Sequence, residues 1–428
     1  MSKTLLKNSW IIDGINNPFF GSIEIDDKII GNIYKEGEKI DESIYDEIID
    51  IKKNIVCPGL INTHNHAGMF FFRGFASGLP LQEWLQEVWK IEDKLTSEDI
   101  YWGTMSSILE MIKAGTTTFA DMYFFEDAVA EAVKETGIRA SLSRGIIGNA
   151  PNGANSLKEN IELFDKYNGA FDDRITVMIG PHAPYTCNLD FLKEVSSVAK
   201  SKNIPIHMHI SETRKEAEDF LQENSKKIIE KLEEIGFLEN HILAAHCVHL
   251  SEDEIKIIKN YNFFVVTNIE SNLKLGSGIA PLKSMKENGI CISIGTDGVC
   301  SNNNLEMWSA MRFTGYVQNG LHEDPTIFNS YELLKMATIN GAKALRIDKK
   351  VGTLEKGKEA DIIVVDIDTI HAKPIFNPID HLSYGIHPDD IDTVFIQGKK
   401  VLEKGKFTFL DESKILSEME RCRKRLFS

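Results

Sequence analysis

Apolar, β-branched runs recur through the middle of the chain at 55–63, 116–121, 138–143, 175–180, 204–209, 242–246, 263–267 and 290–296. Helical spacing of apolar positions fills most of the gaps, over Ser97 to Ala114, Glu126 to Thr136, Leu189 to Lys202 and Glu252 to Lys259, with Asn188 and Ser251 where N-caps belong. Eight strand-like segments alternating with helices over about 240 residues predict a (β/α)8 barrel of the TIM type. A doubly wound open sheet is the competing α/β architecture. Such sheets commonly bind nucleotides through a glycine-rich first turn, and the chain has neither Gly-x-Gly-x-x-Gly nor a Walker A pattern.

The two ends have a different texture. Ser22-Ile23-Glu24-Ile25-Asp26-Asp27-Lys28-Ile29-Ile30 alternates on either side of an Asp-Asp-Lys turn, which predicts a hairpin. Near the other end, 360–366 reads as a strand and 392–401 as a hairpin around Gln397-Gly398-Lys399-Lys400. Chain ends often lie close together, so residues 1–55 and 355–428 are expected to form one small β-sandwich domain beside a catalytic barrel over 56–354.

Composition narrows the partners. A formal net charge of -16 argues against nucleic acid, whose phosphates need a basic face. No apolar run reaches the roughly 18 residues of a membrane span, and the first residues lack the apolar core of a signal peptide. Six scattered cysteines without a Cys-x-x-Cys pair suit thiols in a reducing compartment, so a cytoplasmic protein is expected. A homo-oligomer is compatible with this sequence, because apolar helix positions do not sort into core and interface.

Barrel enzymes carry their chemistry at the C-terminal ends of the strands. The first predicted strand ends in His64-Asn65-His66, the fourth in Gly180-Pro181-His182, the fifth in His207-Met208-His209, the sixth in Ala245-His246-Cys247 and the eighth in Gly295-Thr296-Asp297-Gly298. Five of eight ends bear His or Asp in a chain with only 12 His, which points to a metal site. Period two sends His64 and His66 to one face of the first strand. Three imidazoles and a carboxylate suit Zn²⁺, or Fe²⁺, better than the oxygen-seeking Mg²⁺ or Ca²⁺. The expected ligands of one divalent ion are His64, His66, His209 and Asp297. His207 shares a face with His209 and is an alternative ligand; His209 is preferred because it stands nearer the strand end.

Glu212, three residues after His209, is either a helix-start acid stabilised by the dipole or a general acid/base carrying a proton to a nitrogen leaving group. His246 reads as a polar neighbour of the nucleophile or developing alkoxide, since four groups already serve the metal. His249 is expected only to cap or pack nearby.

Pro-Gly-Leu-Ile-Asn-x-His-x-His at 58–66, His-x-x-Glu at 209–212, His-Cys-Val-His-Leu at 246–250 and Gly-Thr-Asp-Gly at 295–298 together resemble the amidohydrolase superfamily. The pattern is most similar to its methylthioadenosine/S-adenosylhomocysteine deaminase and chlorohydrolase-related branch. The resemblance spans nearly the whole chain. It implies one divalent metal, and Gly180-Pro181-His182, standing where binuclear members place a carboxylated lysine, favours the mononuclear type. It further implies Glu92 for ribose hydroxyls, His182 for a purine ring nitrogen, and Arg144 for a ligand carboxylate or other distal group.

Two departures bear on the substrate. Relatives that accept S-adenosylhomocysteine often carry a second arginine shortly after the first, and 148–156 contains none. Thr267-Asn268-Ile269-Glu270 stands where relatives commonly read His-Asn-Pro. The expected activity is hydrolytic deamination of an adenine nucleoside such as 5′-methylthioadenosine, S-adenosylhomocysteine or adenosine. In that scheme Asp297 takes the proton of a metal-activated water, His246 steadies the adduct and Glu212 protonates the ring nitrogen and then the departing ammonia. The competing expectations are guanine, pterin or cytosine deamination, triazine chlorohydrolysis on the same metal, and a non-catalytic scaffold.

Overall fold

The computed structural model describes residues 2–428. Eight parallel strands, Leu60–Asn65, Thr116–Tyr123, Arg139–Ile146, Ile175–Pro181, Ile206–Ile210, Ile242–His246, Phe263–Thr267 and Cys291–Ile294, pair in sequence order as the barrel wall. Their residues are buried almost without exception, because helices cover the outer face and side chains fill the inner one. That double burial is why they read as continuous apolar runs.

The last strand meets the first through side chains and loops. Thr63 Oγ1 donates to Ile294 O at 2.9 Å, the Thr296 amide donates to Asn62 Oδ1 at 3.0 Å, and the Asp297 amide donates to His64 O at 2.9 Å. The third of these fixes the loop after the eighth strand against the histidine corner of the first.

The run over 55–63 is two strands. Ile55–Pro58 pairs antiparallel with Ile362–Val365 and parallel with Lys3–Ile11, so it belongs to the terminal sheet. The barrel strand starts at Leu60. Gly59 is the joint between them: a Cβ there would fall 2.1 Å from Thr117 Oγ1, which leaves no room for a side chain where the chain changes sheets.

Both chain ends meet in one continuous nine-stranded mixed sheet. It runs from Lys406–Phe407 through Lys399–Glu403, Ile391–Ile396, Ile362–Val365, Ile55–Pro58, Lys3–Ile11 and Phe19–Asp26 to Ile29–Lys35, with Glu47–Asp50 alongside Lys3–Ile11. Both expected hairpins form, turning at Asp27 (φ +56°) and at Gln397-Gly398 (φ +47° and +71°). Arg139, buried at the start of the third barrel strand, spans the two units by bonding Asp361 at 3.2 Å and also Glu359. Breaking such a pair strands a buried charge, which costs about 3–5 kcal/mol.

The expected helices form as Ser97–Lys113, Glu126–Thr136, Leu189–Lys202 and Glu252–Ile258, and Asn188 and Ser251 cap theirs by accepting from the Phe191 and Glu254 amides. Other helices went unanticipated, among them Gly153–Tyr167, Arg214–Asn224 and Met307–Leu321 in the barrel, and two more bear on the site and its support. Leu81–Glu92 lies over the barrel mouth and buries Leu81, Trp84, Leu85 and Val88, one stripe at helical spacing. Glu412–Leu426 packs on Ser97–Lys113, burying Ile415, Cys422 and Leu426, with Lys113 bonded to Glu412 at 2.6 Å. Among the described residues no helix is long and apolar enough to cross a membrane.

Candidate active site

The histidines at the strand ends are held by their Nδ1 atoms. His66 Nδ1 donates to Met122 O at 2.6 Å and His209 Nδ1 to His182 O at 2.7 Å; His64 Nδ1 lies 2.8 Å from His207 Nε2. The carbonyl partners of His66 and His209 put a proton on Nδ1, and His64 takes the same form when its Nδ1 donates to His207; all three rings turn Nε2 inward. His64 Nε2 is buried with no hydrogen-bond partner, 3.5 Å from Asp297 Oδ1; His66 Nε2 is 3.2 Å from the same oxygen. Asp297 sits in left-handed backbone (φ +64°), its Oδ1 accepting from the Gly298 amide at 2.7 Å and its Oδ2 from Ser271 Oγ at 2.6 Å.

Ligand atoms of His64, His66 and His209 lie within 4.8 Å of one another, as do those of His64, His246 and Asp297. An orphaned buried imidazole nitrogen in that cluster is costly unless something binds it. Neutral nitrogen donors beside one carboxylate match a Zn²⁺ or Fe²⁺ site. Burial pulls the His64 pKa down to about 4 and that of His209 well below the ordinary range, so both are neutral as ligands must be. Burial also works against a charge on His66, but the Asp297 carboxylate outweighs it and holds that ring up at about 9, so a metal has to displace a proton from His66. Burial alone would raise the Asp297 carboxyl, but His64 and His66 beside it outweigh that and hold it well below the usual carboxylate range.

His207 lies behind His64, its own Nδ1 3.4 Å from Ser143 Oγ. It supports the ring of His64 and does not face the cluster of free nitrogens. His249 packs nearby with Nε2 on Ser277 O at 2.7 Å.

Glu212 is buried beside this cluster. Its Oε1 accepts from Ser277 Oγ at 3.3 Å and its Oε2 lies 3.8 Å from His246 Nε2. Burial first, and then the charge of Asp297, pushes its pKa up to about 8 against the Ser277 bond, so the carboxyl carries a proton at neutral pH. Glu216 pins the backbone that aims it, accepting from the Ser211 and Glu212 amides at 3.0 and 2.8 Å. His246 Nδ1 faces the amide nitrogens of Asn272 at 2.8 Å and Asn268 at 3.4 Å. Two N–H donors on Nδ1 put the ring proton on Nε2, which makes His246 a hydrogen-bond donor into the cleft.

One cleft gathers His66, His182, His209, Glu212, His246 and Asp297 at its floor and Glu92 on its wall, with about 780 Å³ between its surfaces, open mouth included. Glu92 Oε1 accepts from Tyr123 OH at 2.5 Å, and burial raises its pKa. His182 Nδ1 is 3.0 Å from Thr186 Oγ1. Arg144 faces an adjoining hollow instead and is paired with Glu159 at 3.0 Å. Sequence reasoning missed Tyr123, Glu216, Ser271, Asn272 and Ser277. Only Ser271-Asn272 had a signal, standing at the head of the motif Ser-Asn-Leu-Lys-Leu-Gly.

Residues 55–401 match the amidohydrolase family. The chain belongs to that family. A 5-methylthioadenosine/S-adenosylhomocysteine deaminase from Thermoanaerobacter pseudethanolicus is 44% identical over 405 residues, covering 92% of this amidohydrolase and 94% of the relative. Among solved structures, an adenosine deaminase from Xanthomonas campestris with bound zinc superposes with a TM-score of 0.94 at 28% identity, covering 100% of this chain and 99% of that one. A zinc complex of atrazine chlorohydrolase from Arthrobacter aurescens superposes at 0.91 with 22% identity, over 98% of this chain and 100% of that one, a likeness of fold alone. This amidohydrolase is thus a hydrolytic enzyme whose cluster is built for a divalent metal.

Proposed function

We propose that this amidohydrolase deaminates an adenine nucleoside such as 5′-methylthioadenosine, S-adenosylhomocysteine or adenosine, replacing the ring amine by oxygen and releasing ammonia. The observation that carries the reading is Glu212: a buried carboxyl that keeps its proton near neutral pH, 3.8 Å from His246 and in the same cleft as Asp297. Nitrogen is a poor leaving group until protonated, and a proton-bearing carboxyl beside a hydrolytic site meets that need.

His64, His66, His209 and Asp297 would hold one divalent ion, Zn²⁺ by the softness of the donor set with Fe²⁺ as the alternative; when bound, it makes water acidic enough to attack at neutral pH. Asp297, already relieved of its proton, accepts that of the attacking water. His246 donates from Nε2 to the oxygen added at the ring carbon. Glu212 gives its proton to the neighbouring ring nitrogen, takes the proton of the added hydroxyl, passes it to the amine as the carbon–nitrogen bond breaks, and is restored by the proton Asp297 had accepted. His182 meets the purine edge and Glu92 the ribose hydroxyls. The reaction consumes one water and yields the corresponding inosine and one ammonia.

The 44% identity to a relative named for 5-methylthioadenosine and S-adenosylhomocysteine supports the substrate class. Six free cysteines support a cytoplasmic location. Ammonia release by metal-loaded protein from a panel of adenosines, guanine, cytosine and pterins tests the reading. Turnover of adenosines is expected; strong activity on guanine with none on adenosines overturns the substrate, and halide release from a chlorotriazine without ammonia from any nucleoside overturns the reaction.

A further inference from the structure

The two ends of the cleft differ in chemistry. With the amine-bearing ring at Glu212 and the ribose at Glu92, the remainder of the ligand meets Trp84, Leu85, Val88 and Trp89 on the helix over the mouth and Phe124 and Ile147 across from it. Those six side chains supply no charge. A thioether or alkyl group gains dispersion and sulfur–aromatic contact there, whereas an ionised group loses hydration without compensation.

Beyond Phe124 and Ile147 the wall opens into the adjoining hollow, whose one cation is Arg144. That cation is already engaged on every nitrogen. Nε bonds Glu159 Oε2 at 3.0 Å, one terminal nitrogen donates to Ser156 Oγ at 3.2 Å and the other to Gly145 O, while the guanidinium lies 5.3 Å from the centre of the Phe124 ring. Asp93 lines the same hollow, and Asp127 there is paired with Lys166 at 2.5 Å. An amino-acid tail reaching this place meets Asp93 with its ammonium, but its carboxylate has to displace Glu159 from Arg144.

We propose that the distal end of the cleft is a subsite for a short uncharged 5′ substituent, with Glu159 as the specificity-determining residue: by holding Arg144 it denies a carboxylate-bearing tail its counter-ion. Of the two substrates in the relatives' name, this chain therefore favours 5′-methylthioadenosine over S-adenosylhomocysteine. The inference rests on the nucleoside reading above and sharpens it.

Steady-state ammonia release by the metal-loaded full chain, with each nucleoside in turn, tests it. The expected KM for S-adenosylhomocysteine is at least ~10-fold above that for 5′-methylthioadenosine, with kcat alike within ~3-fold. Glu159→Gln frees Arg144, so the KM ratio should narrow at least ~3-fold, through the S-adenosylhomocysteine value. Equal KM values, or a ratio unmoved by Glu159→Gln, overturn the tail assignment while leaving the deaminase in place. Failure to deaminate both of these nucleosides overturns the tail assignment, and failure with adenosine as well overturns the nucleoside reading.

Discussion

The floor of the cleft and its distal wall solve opposite problems. At the floor, polar side chains are buried and almost every one is held by a named partner: His66 by Met122 O, His209 by His182 O, His64 by His207, Asp297 by Ser271 and Gly298. At the wall, one helix supplies Trp84, Leu85, Val88 and Trp89, and the one buried polar atom among these side chains, Trp84 Nε1, has no hydrogen-bond partner. The floor sets which bond is cut and tolerates little change. The wall sets which molecule is offered to it and can be altered by degrees.

That contrast can be broken from either side. Asp297→Asn removes a ligand and the proton acceptor at once, and turnover should fall on the order of 10⁴-fold with loss of bound metal, measured by ammonia release and elemental analysis. His207→Phe touches neither metal nor substrate but releases His64; metal affinity should drop ~10–100-fold by competition with a chelator, with thermal unfolding of the metal-free protein little changed. Glu212 must begin the reaction protonated, and its carboxyl is raised to about 8. The rate constant kcat/KM should therefore be level below that pH and fall about tenfold per unit above it, as a pH profile would show. Trp89→Ala trims the wall; it should raise the KM for 5′-methylthioadenosine roughly fivefold, about 1 kcal/mol, and leave kcat in place.

The same contrast explains what could be read from the sequence. Barrel strands are buried on two faces, so continuous apolar runs betrayed all eight, and histidines that end such runs are conspicuous. The joint at Gly59 was hidden because an apolar strand of the terminal sheet leads directly into an apolar strand of the barrel. Ser271, Ser277 and Asn272 were hidden for another reason: a small polar residue acquires its role from a partner distant along the chain, as Ser277 does from Glu212. Arg144 could be placed on its strand end from the sequence, but which hollow it serves depends on Glu159 in the following helix. Leu81–Glu92 did carry a readable stripe, at 81, 84, 85 and 88, outside the strand–helix alternation that marks the barrel.

The central claim is that Glu212 carries the proton to the departing nitrogen at a site the metal ligands hold together without it. Metal content and ammonia release from 5′-methylthioadenosine, measured side by side on the wild-type protein and Glu212→Gln, test that claim most directly. One divalent ion per chain in both proteins, with ammonia release lost by about 10³-fold in the variant, is the predicted result. A metal-replete Glu212→Gln protein that still releases ammonia at a substantial fraction of the wild-type rate would contradict it.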